Sequence, residues 1–203
     1  MMTRKQFIAA FPMLGTALPI LAQQRVAPEL RLVDLSGNVH RIGALRGKVV
    51  LLEFMLTTCP HCQNTARLIS VLQRELGPNG LQTFSVAFSD DAAIEAPKFA
   101  RVHNITHPVA VLPRHEVYAF AQLSMVVRHT VPIIVVVDRQ GNVRDQFEGD
   151  SPFFQSEEQN LRALLAERLK ENAKPKGLSP QRRKESASSA SRNGAASLRG
   201  FRR

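Results

Sequence analysis

Two runs of apolar residues are unbroken by the usual alternation. Val49-Val50-Leu51-Leu52-Glu53-Phe54-Met55-Leu56 and Ile133-Ile134-Val135-Val136-Val137 are of strand length, which predicts central strands covered on both faces. One acid, Glu53, interrupts the first. Elsewhere the pattern alternates. Leu30 to Leu35, the turn Ser36-Gly37-Asn38 and Val39 to Ile42 predict a small hairpin turning at Gly37. Leu81 to Phe88 and the shorter His107 to Leu112 are further strands. After Cys59, the residues Ala66, Leu68, Ile69, Leu72 and Leu76 fall at helical spacing until Gly77-Pro78-Asn79-Gly80 stops them. Ala92 to Val102, Glu116 to Leu123 and the amphipathic Ser156 to Leu169 are predicted helices. Asp138-Arg139-Gln140-Gly141-Asn142 turns the second apolar run into Val143 to Phe147 as a hairpin. Strands alternating with helices, and hairpins at both ends, predict an α/β domain: a central mixed β-sheet flanked by helices, with an N-terminal β-hairpin.

The ends of the chain do not follow this pattern. Met1 to Ala22 has a basic start (Arg4, Lys5), an apolar run from Phe7 to Ala22 and polar Gln23 and Gln24 directly after it. That is the layout of a signal peptide, with cleavage expected after Ala22. The run contains Pro12, Gly15 and Pro19 and falls short of the ~20 apolar residues a spanning helix needs, so a permanent anchor is the weaker reading. Thr3-Arg4-Lys5-Gln6-Phe7-Ile8 resembles a twin-arginine export motif, but an ordinary Sec leader is favoured. Either route leads outside the cytosol, where disulfide chemistry is permitted. From Lys174 onward the chain is Pro, Gly, Ser, Ala and Arg with almost no large apolar residue, so a disordered basic tail is expected from 171 to 203. One domain is left, residues 23 to 170.

Charge looks at first like that of a nucleic-acid binder, at +10 over 203 residues. It is not spread evenly. From Gln23 to Lys170 sixteen basic residues face fifteen acidic ones, whereas Glu171 to Arg203 holds nine basic and two acidic. The fold is therefore nearly neutral, which argues against a nucleic-acid partner and leaves the tail a weak contact with an anionic membrane surface.

The only two cysteines lie in Cys59-Pro60-His61-Cys62, where a buried strand gives way to a helix. At a helix N-terminus the free N–H groups and the positive end of the dipole stabilise an anion, so Cys59 is expected to be the attacking thiol. Cys62, one turn further in, is placed to resolve the mixed disulfide. Pro60 suits the first helical turn, where its missing N–H has no partner to lose. His61 adds positive charge or a donor near the thiolate, which favours the reduced form and makes the pair more oxidising. A purely structural disulfide is disfavoured, because so short a loop removes little unfolded-state entropy. Zinc is disfavoured too, since no second Cys-X-X-Cys or His pair completes a site. No cofactor or metal is expected.

Four passages carry a resemblance. Pro28 to Gly47, Lys48 to Cys62, Thr130 to Asp138, and the pair Gly141 and Gly149 together are similar to the TlpA/ResA branch of extracytoplasmic thioredoxin-like proteins. The resemblance implies a thioredoxin-like fold and a thiol-disulfide oxidoreductase acting on cysteine-containing extracytoplasmic proteins together with a redox partner. It also implies that Pro132 is cis and lies against the cysteine pair, with the backbone of Val131 offered to a substrate strand; the plain alternative is a proline that merely opens a strand. Two positions depart from the pattern: Thr58 precedes the first cysteine where the family usually has Trp, and Met55 takes another common Trp position. Many TlpA/ResA proteins are reductants, whereas the Pro-His dipeptide resembles strongly oxidising enzymes, so the direction of exchange stays open.

Glu53 lies six residues before Cys59, where thioredoxins carry a buried acid. A carboxylate in an apolar strand has its pKa raised and can pass protons to and from Cys62; the alternative is an outward-facing or Lys-paired side chain. His40, His115 and His129 read as isolated surface residues, and His103 with His107 as a poor metal pair because Pro108 and Thr106 break a common helical face. Two other functions on the same fold are weighed. A copper-handling or assembly protein binding metal through both thiols usually spaces them by three residues and adds a distal His. A peroxiredoxin needs Thr three positions before its cysteine, where this chain has Leu56.

Overall fold

The computed structural model describes residues 25–171, and the expected leader and nearly all of the expected basic tail lie outside them. Eight strands and four helices follow in order: β1 (Arg25–Val26), β2 (Arg31–Val33), β3 (Val39–Arg41), β4 (Val49–Met55), α1 (Pro60–Leu76), β5 (Leu81–Ala87), α2 (Ala92–Val102), β6 (Val109–Val111), α3 (Arg114–Ala121), β7 (Ile133–Val137), β8 (Asn142–Phe147) and α4 (Glu157–Lys170).

Six strands form one sheet in the order β1-β8-β7-β4-β5-β6. β4, β5 and β6 run parallel through two helical crossovers, and β7 returns antiparallel to β4. The sheet is mixed, with helices on both faces, as the alternation of elements predicts. The two unbroken apolar runs are its adjacent central strands. Every residue of β4 and β7 is buried, because each strand is covered above and below and has no face to show water.

The two faces differ. Val50, Leu52 and Phe54 point into a cluster with Phe84, Val86, Val135 and, from α3, Val117 and Phe120, which Leu32 of the β2–β3 hairpin also joins. Val49, Leu51, Glu53 and Met55 point the other way. Their neighbours are Ile69 and Leu72 of α1 with Leu161 and Leu165 of α4 at one end, and Cys62, Ala66, Ala96 and Phe99 at the other. Pleat parity therefore puts Glu53 under α1, on the same face as Cys62.

Several boundaries moved for local reasons. The predicted hairpin forms, with Gly37 at φ +84° in its turn, but as a separate two-stranded sheet. One edge of the main sheet is β1, whose two residues are too few to show in any pattern, and the other is β6. β6 starts at Val109 because Pro108 has no N–H to give the ladder. α3 starts at Arg114, two residues early, because Pro113 supplies an extended residue at φ −62° ahead of the first turn; it ends at Ala121, capped by Gln122, which is left-handed at φ +54°.

Candidate functional site

β4 delivers the chain directly into the helix that carries both thiols. The Cys59 N–H donates to Leu56 O at 3.1 Å, closing a turn, and the Gln63 side chain donates to Thr57 O at 3.0 Å, tying that turn to α1. Cys59 then occupies the N-cap position with extended backbone, Pro60 takes the first helical position, and the Cys62 N–H donates to Cys59 Sγ at 3.3 Å. One orphan N–H of the helix start is thus spent on the sulfur. Both cysteines are free thiols; Cys59 is half-buried and Cys62 is fully buried. Burial pushes the Cys62 thiol well above its usual range, reinforced by its hydrogen bond with Cys59 and by the nearby Glu53 carboxyl.

Glu53 is also fully buried. Its carboxyl is pushed up to about 8, chiefly by burial; the Ser85 hydrogen bond works against this and the Glu157 charge adds to it. Oε2 accepts from Ser85 Oγ at 2.5 Å, while Oε1 has no partner among the described residues. The outward-facing or Lys-paired alternative for this acid is gone.

His61 is pinned from a distant part of the chain. Its Nε2 lies 3.5 Å from Glu157 Oε2 at the start of α4, and its ring meets Phe154 edge-on at 4.9 Å. The other oxygen of Glu157 accepts from Thr65 Oγ1 at 2.5 Å. The Val131–Pro132 peptide is cis. Val131 and Cys59 both border the cluster of Met55, Cys62 and Ala66, so the two segments meet at one end of the sheet. Gly149 backs this segment: its N–H donates to Thr130 O at 3.0 Å, and a Cβ there would stand 2.4 Å from Val131 O. Beside Val131 opens a groove of about 460 Å³ whose walls include Leu56, Tyr118, Met125, Val127 and His129.

Residues 21–165 match the protein-family model described as Redoxin. The chain belongs to the Redoxin family. This redoxin is 26% identical over 123 residues to the thiol-disulfide oxidoreductase ResA of Geobacillus kaustophilus, covering 61% of this chain and 67% of that one. The ResA of Geobacillus thermodenitrificans matches to the same extent. Among solved structures it is similar to a thiol:disulfide interchange protein of the thioredoxin family from Chlorobium tepidum TLS, at a TM-score of 0.61 and 19% identity over 73% of this chain and 98% of that one. A thiol:disulfide interchange protein from a Bacteroides species aligns at a TM-score of 0.57 and 21% identity over 76% of this chain and 93% of that one. With its fold and its relatives, the redoxin is a TlpA/ResA-like member of the thioredoxin superfamily and a thiol-disulfide oxidoreductase.

Two residues near the redoxin's thiols, Glu157 and Ser85, have no role in the sequence reading, and His107 figures there only as half of a poor metal pair. Nothing local marks Glu157, which meets His61 from 96 positions away. Ser85 is legible only through register, since it pairs directly with Glu53 in the parallel β4–β5 ladder. His107 precedes Val109 by two, which puts it on the same face. The reading of His40 and His129 as isolated surface residues needs correction. His40 Nε2 lies 2.9 Å from Asp34 Oδ2, and His129 bridges Glu148 Oε2 (2.8 Å) and Ser124 O (3.0 Å). Burial alone would lower His129, but its two acceptors outweigh that and raise it. Hairpin and loop folding bring these partners together. Among the described residues no cluster of three or more His, Cys, Asp or Glu is arranged to hold a metal.

Proposed function

We propose that this redoxin exchanges disulfides with cysteine-containing proteins outside the cytosol, using Cys59 as the attacking thiol, Cys62 as the resolving thiol and Glu53 as the proton acceptor. The observation that carries this is the asymmetry of one helical turn: Cys59 is half-open and faces the free end of α1, while Cys62 is sealed behind it over a buried carboxyl. In the reducing direction, the Cys59 thiolate attacks a substrate S–S bond, forms the mixed disulfide and releases one substrate thiolate. Cys62 gives its proton to Glu53 and attacks Cys59 Sγ. The Cys59–Cys62 disulfide forms, the second substrate thiolate leaves, and two electrons have passed to the substrate. A reduced partner reverses the sequence on the enzyme.

Pro60 and His61 tune the thiolate, and the backbone of Val131 and Pro132 receives the substrate strand. The adjoining groove supplies apolar contact area: Met125 is 58% and Val127 52% exposed, and solvent-facing apolar patches of this kind commonly serve as binding surfaces. Action outside the cytosol rests on the leader-like residues 1–22.

The test is to react purified protein with insulin. Cys59→Ser should abolish exchange, and Cys62→Ser should accumulate a mixed disulfide through Cys59 that mass spectrometry detects. Full exchange by Cys59→Ser would overturn the reading. So would stoichiometric Cu(I) on the two thiols in a protein with no exchange activity, which favours the metal-handling alternative.

A further inference from the structure

Glu53 sits at the end of a polar path through the interior. Ser85 Oγ is 2.5 Å from Glu53 Oε2 and 2.7 Å from His107 Nε2; His107 Nδ1 is 2.9 Å from Ser70 Oγ, which accepts the Thr106 N–H at 3.2 Å. Ser70, Ser85 and His107 are at most 5% exposed. Two strands, the loop before β6 and a helix contribute to this path, and each contact has hydrogen-bond length. Thr106 and His107 also line a surface pocket of about 300 Å³ beside β6, together with Asp34, Ser36 and Pro108.

Such a path answers a difficulty in the mechanism. In the mixed disulfide the substrate covers Cys59, and Glu53 has no exposure of its own, so the proton it takes from Cys62 needs a route away from the mouth. We infer that Ser85, His107 and Ser70 form a proton relay connecting Glu53 to the pocket beside β6. This inference rests on the role proposed above for Glu53.

The relay works with either protonation state of the acid. When Glu53 is ionised, Ser85 donates to it, the His107 Nε2–H donates to Ser85, and Ser70 donates to Nδ1. When Glu53 holds a proton, the directions reverse: Glu53 donates to Ser85, Ser85 to Nε2, and the Nδ1–H to Ser70. One proton leaves Glu53 and one passes from the Ser70 hydroxyl to water in the pocket that its neighbour Thr106 lines, while the imidazole exchanges tautomers and stays neutral. A neutral imidazole is what burial enforces, pulling His107 down to about 3. The groups facing Glu53 are Cys62 on α1, Glu157 on α4 and, through Ser85, His107. Across the pocket Asp34 is paired with His40.

The experiment follows the mixed disulfide with insulin by acid quench and mass, in the parent, Ser85→Ala, His107→Gln and Glu53→Gln, from pH 6 to 10. In Ser85→Ala and His107→Gln the mixed disulfide should form at the parental rate and decay about 10-fold more slowly near pH 7, a smaller loss than the 10²- to 10⁴-fold typical of a general base. The deficit should close at high pH, where hydroxide deprotonates Cys62 directly. Folded Ser85→Ala and His107→Gln that decay at the parental rate, beside a slow Glu53→Gln, would overturn the relay while leaving Glu53 in its role. A parental rate in Glu53→Gln would overturn both. Should the two relay variants fail to fold, the parent alone decides: decay measured in mixtures of light and heavy water should bow with deuterium content, because several protons move together, and a straight one-proton dependence rejects the relay.

Discussion

On the outer side of the Cys59–Cys62 turn, the chemistry is made by local backbone and one contact from a distant residue. Cys59 caps a helix, Pro60 fills a position that needs no N–H, and His61 reaches Glu157 at 3.5 Å, with 35% of its side chain still exposed. On the inner side, one turn away, it is made by packing. Cys62, Glu53, Ser85 and His107 are buried between the sheet and α1, and burial dominates every shift among them: up for the thiol and the carboxyl, down for the imidazole. A change on the outer side acts through solvent and should be modest. A change on the inner side acts where charge is poorly screened, so it should be large.

The largest expected effect is therefore on the floor. Glu53→Gln removes the proton acceptor at nearly constant volume and should slow turnover near neutral pH by about 10²-fold or more, with recovery as pH rises. It should also stabilise the fold. A carboxyl raised from 4.5 to about 8 contributes its full stability below pH 4.5 and loses it as pH climbs towards 8. The advantage of Glu53→Gln should thus be absent near pH 4.5 and grow to about 4 kcal/mol by pH 8, read from urea denaturation at several pH values. A variant matching the parent in both pH–rate profile and stability would erase the contrast between the two sides.

Next in size is the support behind the substrate segment. Gly149→Ala sets a Cβ against the Val131 carbonyl at 2.4 Å, and overpacking against backbone costs about 2 kcal/mol. Thermal melting should fall by roughly 5 °C, with weaker exchange on insulin. Unchanged melting would show that this side yields freely.

The smallest effects belong to the outer side. His61→Ala should lower the reduction potential, and Glu157→Gln should raise it, each by roughly 10–30 mV, within overall limits of about −270 to −120 mV. The signs follow from charge: the imidazole favours the thiolate, and the carboxylate beside it offsets that. Equilibration with glutathione reads both. Shifts of the same sign would mean that His61 and Glu157 do not act as an opposed pair.

The His61–Glu157 contact and the burial of Glu53 apart, the division between the two sides matches what could be read before folding. Unbroken apolar runs named the central strands, because a strand covered twice has no polar face to display. The cysteine pair and the helix that follows it were legible as well, since capping and first-turn preferences act within a few residues. Glu53 was legible as a buried acid, but its face was not: that depends on register against β5 and β7, and a slip of one residue would turn it to the other layer. Glu157 beneath His61, and the path through Ser85 and His107, belong to the tertiary structure alone. Their partners lie 22 to 96 positions apart and meet only because the parallel crossovers and α4 close over one sheet face, a contact that no local pattern encodes.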